Sequence, residues 1–195
     1  MSTDDSSTAK AVLREAALER RQSLSSEIHA DAKRLLAQRG LPIPITSESV
    51  IAGYWPIRGE LDPRPLLVAL AEQGATTALP SIAAQHAPLI FRAWREGDRV
   101  QRGALGISEP LPEAEPVQPT IVLVALSAFD RRGQRIGYGA GHYDRALGLL
   151  RLHSRIVAIG LAFATQEIDQ VPAEPHDVAL DFVLTEREII DFRSI

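Results

Sequence analysis

The stretch TIVLVALSAFDRRGQRIGYGAGHYDRALGLLRLH, residues 120–153, decides the fold of this chain. It begins with an apolar, β-branched run that is typical of a buried strand, and it ends in a segment, Tyr143 to His153, with the apolar spacing of a helix. Between them lies RIGYGAGHYDR, residues 135–145, which contains three glycines. A strand, a loop and a helix in this order predict an open α/β sheet, in which ligands bind at the carboxyl ends of the strands.

The glycines of this loop suit phosphate binding. Gly137, Gly139 and Gly141 can take positive φ and turn backbone N–H groups towards an anion. Arg135 can add a bidentate contact to phosphate, and Asp144 is placed to hold the magnesium ion that accompanies a nucleoside triphosphate. A tight strand-to-helix turn without a ligand explains a bare G-x-G-x-G equally well, so the rest of the chain has to decide.

Strand and helix patterns alternate through the rest of the chain. Two helices come first: one carries Lys10 and Arg21, and the next runs from Ser25 to Gly40, a residue free to adopt the left-handed conformation of a helix end. The alternation predicts a single α/β domain with a mostly parallel sheet and helices on both faces. The other expected elements are strands at 50–55, 76–80, 88–94, 120–129, 154–163 and 181–185, a helix at 63–73, a long Pro- and Gly-rich connection at 97–119 and a short terminal helix.

Composition bounds the class of protein. The 195 residues, 45% of them apolar, predict one globular domain over 9–195 after a disordered tail at 1–8. A net charge of -4 argues against nucleic acid as a partner, because phosphate neutralisation needs clustered Lys and Arg. No cysteine is present, which excludes disulfides and thiolate metal sites. No stretch has the pattern of a membrane helix or a signal peptide, so a cytoplasmic protein that acts on a small molecule is expected, as a monomer or weak homo-oligomer.

Several segments together resemble one enzyme family. LSAFDRRGQRIGYGAGHYDRAL, residues 126–147, resembles the signature of the 5-formyltetrahydrofolate cyclo-ligases, also called 5,10-methenyltetrahydrofolate synthetases. Three further segments agree in order: the K-x-x-L-R pattern of residues 10–14, YWPIRGELD at 54–62 and PHDVALDFVLTE at 175–186. The loop departs from the family pattern where Ala140 stands for a usual glycine and His142 for a usual tyrosine.

The resemblance implies a fold and a reaction. The fold is that of the NagB/RpiA/CoA-transferase-like proteins. The reaction is the ATP- and Mg²⁺-dependent closure of 5-formyltetrahydrofolate, free or polyglutamylated, to 5,10-methenyltetrahydrofolate through a phosphorylated formyl intermediate, with release of ADP and phosphate. Such phosphoryl transfer needs positioning and charge neutralisation rather than a covalent nucleophile.

The resemblance also assigns roles to residues. Arg135 and Asp144 are the expected catalytic residues, and Asp144 with Asp177 the expected magnesium ligands. Trp55 and Glu60 are expected to contact the folate. The residues expected to bind ATP are Lys10, Ala11, Val12, Leu13, Arg14, Arg135, Ile136, Gly137, Tyr138, Gly139, Ala140, Gly141, His142 and Tyr143, of which Tyr138, Gly139, Ala140, Gly141 and His142 are also expected to contact the folate.

These residues also have interpretations that involve no ligand. Taken alone, Lys10 and Arg14 suggest an exposed helix face, Asp177 a turn residue, Trp55 a core aromatic and Glu60 a surface charge. A zinc site is not expected, because the five histidines lack metal-ligand spacing. A Rossmann-type dinucleotide binder would need a ribose-binding acid about 20 residues after the loop, which is missing. A catalytically silent folate- or nucleotide-binding module on the same fold is the remaining alternative.

Overall fold

A seven-stranded sheet forms the centre of the computed structural model, which describes residues 3–82 and 88–193. The strand order is β11-β10-β9-β6-β1-β2-β3. The five inner strands are parallel, and β3 and β11 run antiparallel at the two edges. The strands are β1 (Val50–Ala52), β2 (Thr76–Ile82), β3 (Leu89–Ala93), β6 (Ile121–Ala125), β9 (Val157–Leu161), β10 (Phe182–Leu184) and β11 (Ile189–Asp191).

Four helices are present in the described residues. They are α1 (Thr3–Gln22), α2 (Ser26–Arg39), α3 (Arg64–Glu72) and α4 (His142–His153), with a short 3₁₀ turn at Ala164–Gln166. The second helix has its ends at the residues that the sequence predicts. The hydroxyl of Ser25 accepts a hydrogen bond from the N–H of Ile28. Gly40 ends the helix with φ 71° and ψ -160°, a positive-φ conformation that differs from the expected left-handed helical one.

Both faces of the sheet are covered. Alternate residues of β6 point to opposite sides: Leu123 packs in the cluster that contains α2 and α3, whereas Val122 and Val124 pack in the cluster that contains α4. A strand buried on both faces explains why its sequence is a continuous apolar run rather than an alternating one. The predicted mostly parallel sheet with helices on both faces is therefore confirmed.

Two loops leave the sheet at the carboxyl ends of its parallel strands. β1 and β6 are parallel neighbours, so the segments that follow Ala52 and Ala125 leave the sheet at the same end of these strands. The first leads into residues 54–62. The second leads through a small hairpin, β7 (Ala128–Phe129) and β8 (Arg135–Ile136), into the glycine loop 137–141.

Two local expectations differ from the structure. The 97–119 connection contains a hairpin, β4 (Val100–Arg102) and β5 (Ser108–Pro110), because Gly103 and Gly106 reverse the chain. The expected terminal helix is the edge strand β11, where consecutive β-branched Ile189 and Ile190 favour pairing with β10. Helix α1 begins at Thr3, and the division of the chain into a tail at 1–8 and a domain at 9–195 stays a prediction.

Candidate active site

A cavity of about 860 Å³ lies where these loops meet. It brings together most of the residues singled out from the sequence: Lys10, Ala11, Arg14, Trp55, Glu60, Arg135, Ile136, Gly137, Tyr138, Gly139, Ala140, Gly141, His142, Tyr143, Asp144 and Asp177. Val12 and Leu13 do not line it. Val12 is 63% exposed, and Leu13 packs against the small cluster around Ala17 and Ile136. Helical geometry separates them, because adjacent helix positions point in different directions.

Helix α1 turns one face towards the cavity. Lys10 and Arg14, one turn apart, lie on this face with the buried Ala17. Lys10 Nζ donates hydrogen bonds to Asp177 Oδ2 at 2.6 Å and Glu174 Oε2 at 2.8 Å. Burial alone would lower the pKa of Lys10, but these two carboxylates raise it. The lysine is therefore a fixed positive charge at the cavity wall.

The glycine loop is tied to α1. Arg14 Nε donates a hydrogen bond to the carbonyl oxygen of Gly137 at 2.7 Å, and its guanidinium would lie 3.5 Å from a Cβ on Gly139. Gly139 and Gly141 have φ of 90° and 64°, whereas Gly137 lies outside the positive range. Ala140 also lies outside it, since Arg58 is the one non-glycine residue with positive φ in 3–82 and 88–193. The methyl group of Ala140 therefore introduces no backbone strain.

Arg135 and Asp144 form a pair at the floor of the loop. Arg135 Nη2 donates to Asp144 Oδ1 at 2.7 Å, while Nη1 donates to the carbonyl of Val178. The same Asp144 oxygen accepts the Val178 N–H at 3.1 Å. The arginine side chain is 5% exposed and the aspartate side chain 24%. The predicted catalytic pair is thus assembled, with the carboxylate partly open to the cavity.

The turn that contains Asp177 adds Glu174 and His176, which the sequence analysis did not assign to the site. Ligand atoms of Glu174, His176 and Asp177 lie within 4.8 Å of one another, and the bond from Val178 N–H joins this turn to Asp144. His176 is 73% exposed. Oxygen-rich donor sets of this kind suit Mg²⁺, which prefers carboxylates and water. Glu174 and Asp177 therefore offer oxygens of the type that the expected ion prefers. Lys10 Nζ binds one oxygen of each, and Asp144 is not part of this cluster.

The opposite wall carries the residues expected to meet the folate. Glu60 is 7% exposed, and one of its oxygens accepts the Ile57 N–H at 2.8 Å. Burial raises the pKa of Glu60, against the opposing effects of Ile57, Tyr138 and the charge of Arg21. The half-buried Trp55 packs against core residues, and the Arg64 guanidinium lies 4.6 Å from its ring centre. Tyr138 bridges the two sides of the cavity, and burial together with Glu60 raises its pKa to about 12.

His142 begins α4 at the mouth of the loop. Its Nδ1 lies 3.1 Å from Arg145 Nη2, and Gly141 before it holds the left-handed conformation at the helix start. The imidazole that replaces the family's usual tyrosine is thus also a polar aromatic ring, and its Nδ1 lies within hydrogen-bond distance of Arg145.

The β4–β5 hairpin completes the cavity, although none of its residues was among the expected site residues. Gly103, Gly106 and Glu109 line it, and the buried Glu109 carboxylate accepts the Ile82 N–H at 3.1 Å. A Cβ on Gly103 would come within 2.4 Å of the Glu109 carboxylate, so a larger residue there would force the Glu109 side chain to move. The central FRAWREGD and GISEP segments resemble the family pattern, and this resemblance was the available signal.

Comparison with known proteins decides the family. The model of the 5-formyltetrahydrofolate cyclo-ligase family matches residues 6–186. This chain belongs to that family. The 5-formyltetrahydrofolate cyclo-ligase of Mycolicibacterium smegmatis is 33% identical over 194 residues, which cover 95% of this chain and 98% of that protein. The Escherichia coli K12 cyclo-ligase is 29% identical over 177 residues, covering 88% of this chain and 97% of that one.

A solved structure agrees with this assignment. The NMR structure of Aquifex aeolicus 5,10-methenyltetrahydrofolate synthetase superposes with a TM-score of 0.77 at 28% identity, over 94% of this chain and 93% of that one. The predicted fold class, family and enzyme class, a ligase of folate metabolism, are confirmed. No helix among the described residues is both long and apolar enough to cross a membrane. The roles of individual site residues stay predictions.

Proposed function

We propose that this protein closes 5-formyltetrahydrofolate to 5,10-methenyltetrahydrofolate, with ATP as phosphoryl donor and release of ADP and phosphate. The observation that carries the proposal is the meeting of two walls in one cavity. Lys10, Arg14 and Arg135 supply positive charge on one wall, and Trp55 and Glu60 supply an aromatic face and a buried carboxylate on the other. A triphosphate and a pterin need these two environments.

The proposed chemistry activates a poor leaving group. The oxygen of the formyl group carried by N5 attacks the γ-phosphorus of ATP. The bond between this phosphorus and the oxygen that bridges it to the β-phosphate breaks, and ADP leaves. N10 then attacks the activated formyl carbon, phosphate departs with the former formyl oxygen, and N10 loses its proton. The product is the methenyl cation. Both steps need alignment and charge neutralisation more than they need a protein nucleophile.

The cationic wall would serve the phosphoryl transfer. Arg135 has its guanidinium fixed by Asp144 and the Val178 carbonyl, so it would present charge without reorganising. Arg14 and Lys10 would contact phosphate oxygens from the same helix face. Backbone N–H groups of residues 137–141 would complete the cradle.

Asp144 and Asp177 would hold Mg²⁺, with Glu174 as a further oxygen ligand on the same turn. The ion supplies neutralisation of the triphosphate charge when it is bound. Asp144 has a second role that depends on protein contacts alone, because it accepts hydrogen bonds from both Arg135 and Val178 and so fixes the arginine beside the loop.

Glu60 and Trp55 would orient the folate. The buried Glu60 carboxylate would accept hydrogen bonds from pterin N–H groups, and the indole of Trp55 would contact the ring system. Such contacts bring N10 and the formyl carbon together, and this proximity removes much of the entropy cost of ring closure.

An absorbance assay tests the proposal. Formation of methenyltetrahydrofolate is followed in the near ultraviolet with 5-formyltetrahydrofolate, ATP and Mg²⁺ together and with each omitted in turn. Turnover that requires all three supports the proposal. Folded protein that binds the ligands in a calorimeter without turnover would instead select the silent binding module.

Further expectations belong to this proposal. A cytoplasmic location, a monomer or weak homo-oligomer, acceptance of polyglutamylated substrate and a single domain over 9–195 are expected. Cell fractionation, light scattering, assays with polyglutamylated substrate and limited proteolysis, respectively, would check them.

A further inference from the structure

Arg21 is a fully buried arginine that the proposed mechanism does not use. It lies on α1, 1% exposed, on the same helical face as Lys10, Arg14 and Ala17. Removing a guanidinium from water is costly unless its N–H groups find acceptors. Its partners therefore show what the side chain does.

The acceptors of Arg21 lie on the two walls of the active-site cavity. Nη2 donates to the carbonyl of Arg58 at 2.8 Å and to the hydroxyl of Tyr138 at 2.7 Å. Nη1 reaches the carbonyl of Leu126, after β6, at 3.4 Å. One nitrogen thus joins the 54–62 segment, expected to meet the folate, to the glycine loop, expected to meet the nucleotide.

The Arg58 end of this link is a strained position. Arg58 has φ of 50°, and Gly59 follows it with φ of 76°. A non-glycine residue in the left-handed region persists where its surroundings hold it. The bond from Arg21 to the Arg58 carbonyl is such a restraint, and it acts two residues before Glu60.

The Tyr138 end fixes the direction of one hydrogen bond. A guanidinium only donates, so the phenol oxygen must accept from Arg21. Tyr138 and the buried Glu60 line the same cavity, and the charge of Glu60 contributes to the raised pKa of the phenol. Arg21 therefore holds Tyr138 on the side of the cavity where Glu60 acts on it.

We propose that Arg21 is a positioning residue that couples nucleotide binding to folate binding. The inference rests on the proposed function, because it needs both ligands in the cavity. A nucleotide that orders the glycine loop fixes Tyr138 and, through Arg21, the Arg58 carbonyl of the segment that carries Glu60. A pterin on Glu60 in turn holds that segment and, through Arg21, keeps Tyr138 in the arrangement that the nucleotide needs. Linkage makes the coupling reciprocal.

Calorimetry on the full chain measures this coupling. The dissociation constant of 5-formyltetrahydrofolate is determined with and without a non-hydrolysable ATP analogue and Mg²⁺. We expect the analogue to tighten folate binding of the unaltered protein by about tenfold, within the usual range of such couplings. In Arg21→Met we expect a ratio near one, while each ligand alone still binds.

Arg20→Met is the matched control. Arg20 is the neighbouring arginine on α1, and its Nε donates to the carbonyl of Thr165 at 2.9 Å, away from the cavity lining. It also loses an arginine-to-carbonyl bond, so a general effect on α1 would appear in both variants. We expect Arg20→Met to keep the coupling of the unaltered protein.

A second variant keeps the proposal falsifiable if Arg21→Met fails to fold. Tyr138→Phe removes the hydroxyl and leaves the ring and Arg21, and it should also lose the coupling. Folded Arg21→Met, or Tyr138→Phe, with the full tenfold coupling would overturn the inference. The turnover assay separates the two proposals: an active unaltered protein without coupling refutes this one alone, and an inactive one refutes the proposed function.

Discussion

Asp130 and Asp144 flank the glycine loop, and the structure uses them in opposite ways. Asp130 is fully buried. It accepts five hydrogen bonds, from the N–H groups of Arg132, Gln134 and Val171 and from two nitrogens of the Arg132 side chain. These bonds close the β7–β8 turn and tie it to the segment at Val171. Asp130 is therefore a structural carboxylate.

Asp144 has fewer protein partners and more access to the cavity. Its side chain is 24% exposed, and both of its hydrogen bonds, from Arg135 and Val178, fall on Oδ1. A carboxylate with an unsaturated acceptor set beside a cavity can bind a ligand or an ion, whereas a saturated buried one cannot. The two aspartates belong to one motif, but all acceptor positions of Asp130 are used by the protein, whereas Asp144 keeps an oxygen for a ligand. This difference assigns Asp130 a structural role and Asp144 a chemical one.

The largest effect is expected for Asp144→Asn. The amide removes the negative charge opposite Arg135 and a proposed magnesium ligand, so turnover should fall by about 10³-fold or more. The melting temperature should also fall, because the buried Arg135 loses its charged partner, so turnover is measured well below the unfolding transition. Steady-state assay and thermal unfolding measure the two quantities.

Asp31→Asn is the control for Asp144→Asn. Asp31 is an exposed aspartate on α2 whose partner is Arg34, so its loss should change neither quantity. Near-normal turnover by folded Asp144→Asn would refute the catalytic assignment.

Asp130→Asn should show the reverse pattern. An amide NH₂ would face N–H donors that now meet carboxylate oxygens, and each unsatisfied buried group costs about 1–3 kcal/mol. We expect a loss of about 2–4 kcal/mol in the free energy of unfolding, with turnover of the folded protein within about threefold of normal. Urea unfolding followed by circular dichroism measures the loss. An unchanged unfolding midpoint would show that Asp130 is not structural.

Lowering the pH should reduce the difference in the free energy of unfolding between Asp130→Asn and the unaltered protein. Burial would raise the pKa of Asp130, but hydrogen bonds from Val171, Arg132 and Gln134 lower it below its usual value. A depressed folded pKa gives stability that is present above the unfolded pKa, about 3.9, and is lost as the pH falls through the folded value. Urea unfolding of both proteins is measured between pH 6 and pH 3, and their free energies of unfolding should approach each other towards pH 3. A difference between them that does not change with pH would contradict the structural role of Asp130.

The smallest effect is expected for Ala140→Gly, which restores the glycine usual in the family. Ala140 has no positive φ, so the glycine gains nothing in the folded state and costs about 0.4–1 kcal/mol of stability through the unfolded chain. The KM for ATP should stay within about twofold. Gly139→Ala is the contrast: φ of 90° strains any side chain, so its KM for ATP should rise. Equal effects of the two changes would refute this account of the loop.

Local patterns in the sequence predicted the elements that depend on local physics. Neighbouring residues alone predicted three elements: the continuous apolar run of β6, the ends of α2 and the glycine loop before α4. The β4–β5 hairpin and edge strand β11 were missed, because pairing with distant strands decided them. Arg21 was also missed, although its spacing from Lys10 and Arg14 places all three on one helix face. Apart from Arg58, the partners of that face lie more than 100 positions away in the chain.

Oxygen labelling tests the central claim most directly. 5-Formyltetrahydrofolate carrying ¹⁸O in the formyl group is converted with unlabelled ATP, and the released phosphate is analysed by mass spectrometry. If the formyl oxygen attacks the γ-phosphorus in this cavity, each phosphate carries one ¹⁸O atom. Release of the label into water, with unlabelled phosphate, would contradict the phosphorylated intermediate and the roles assigned to Arg135 and Asp144.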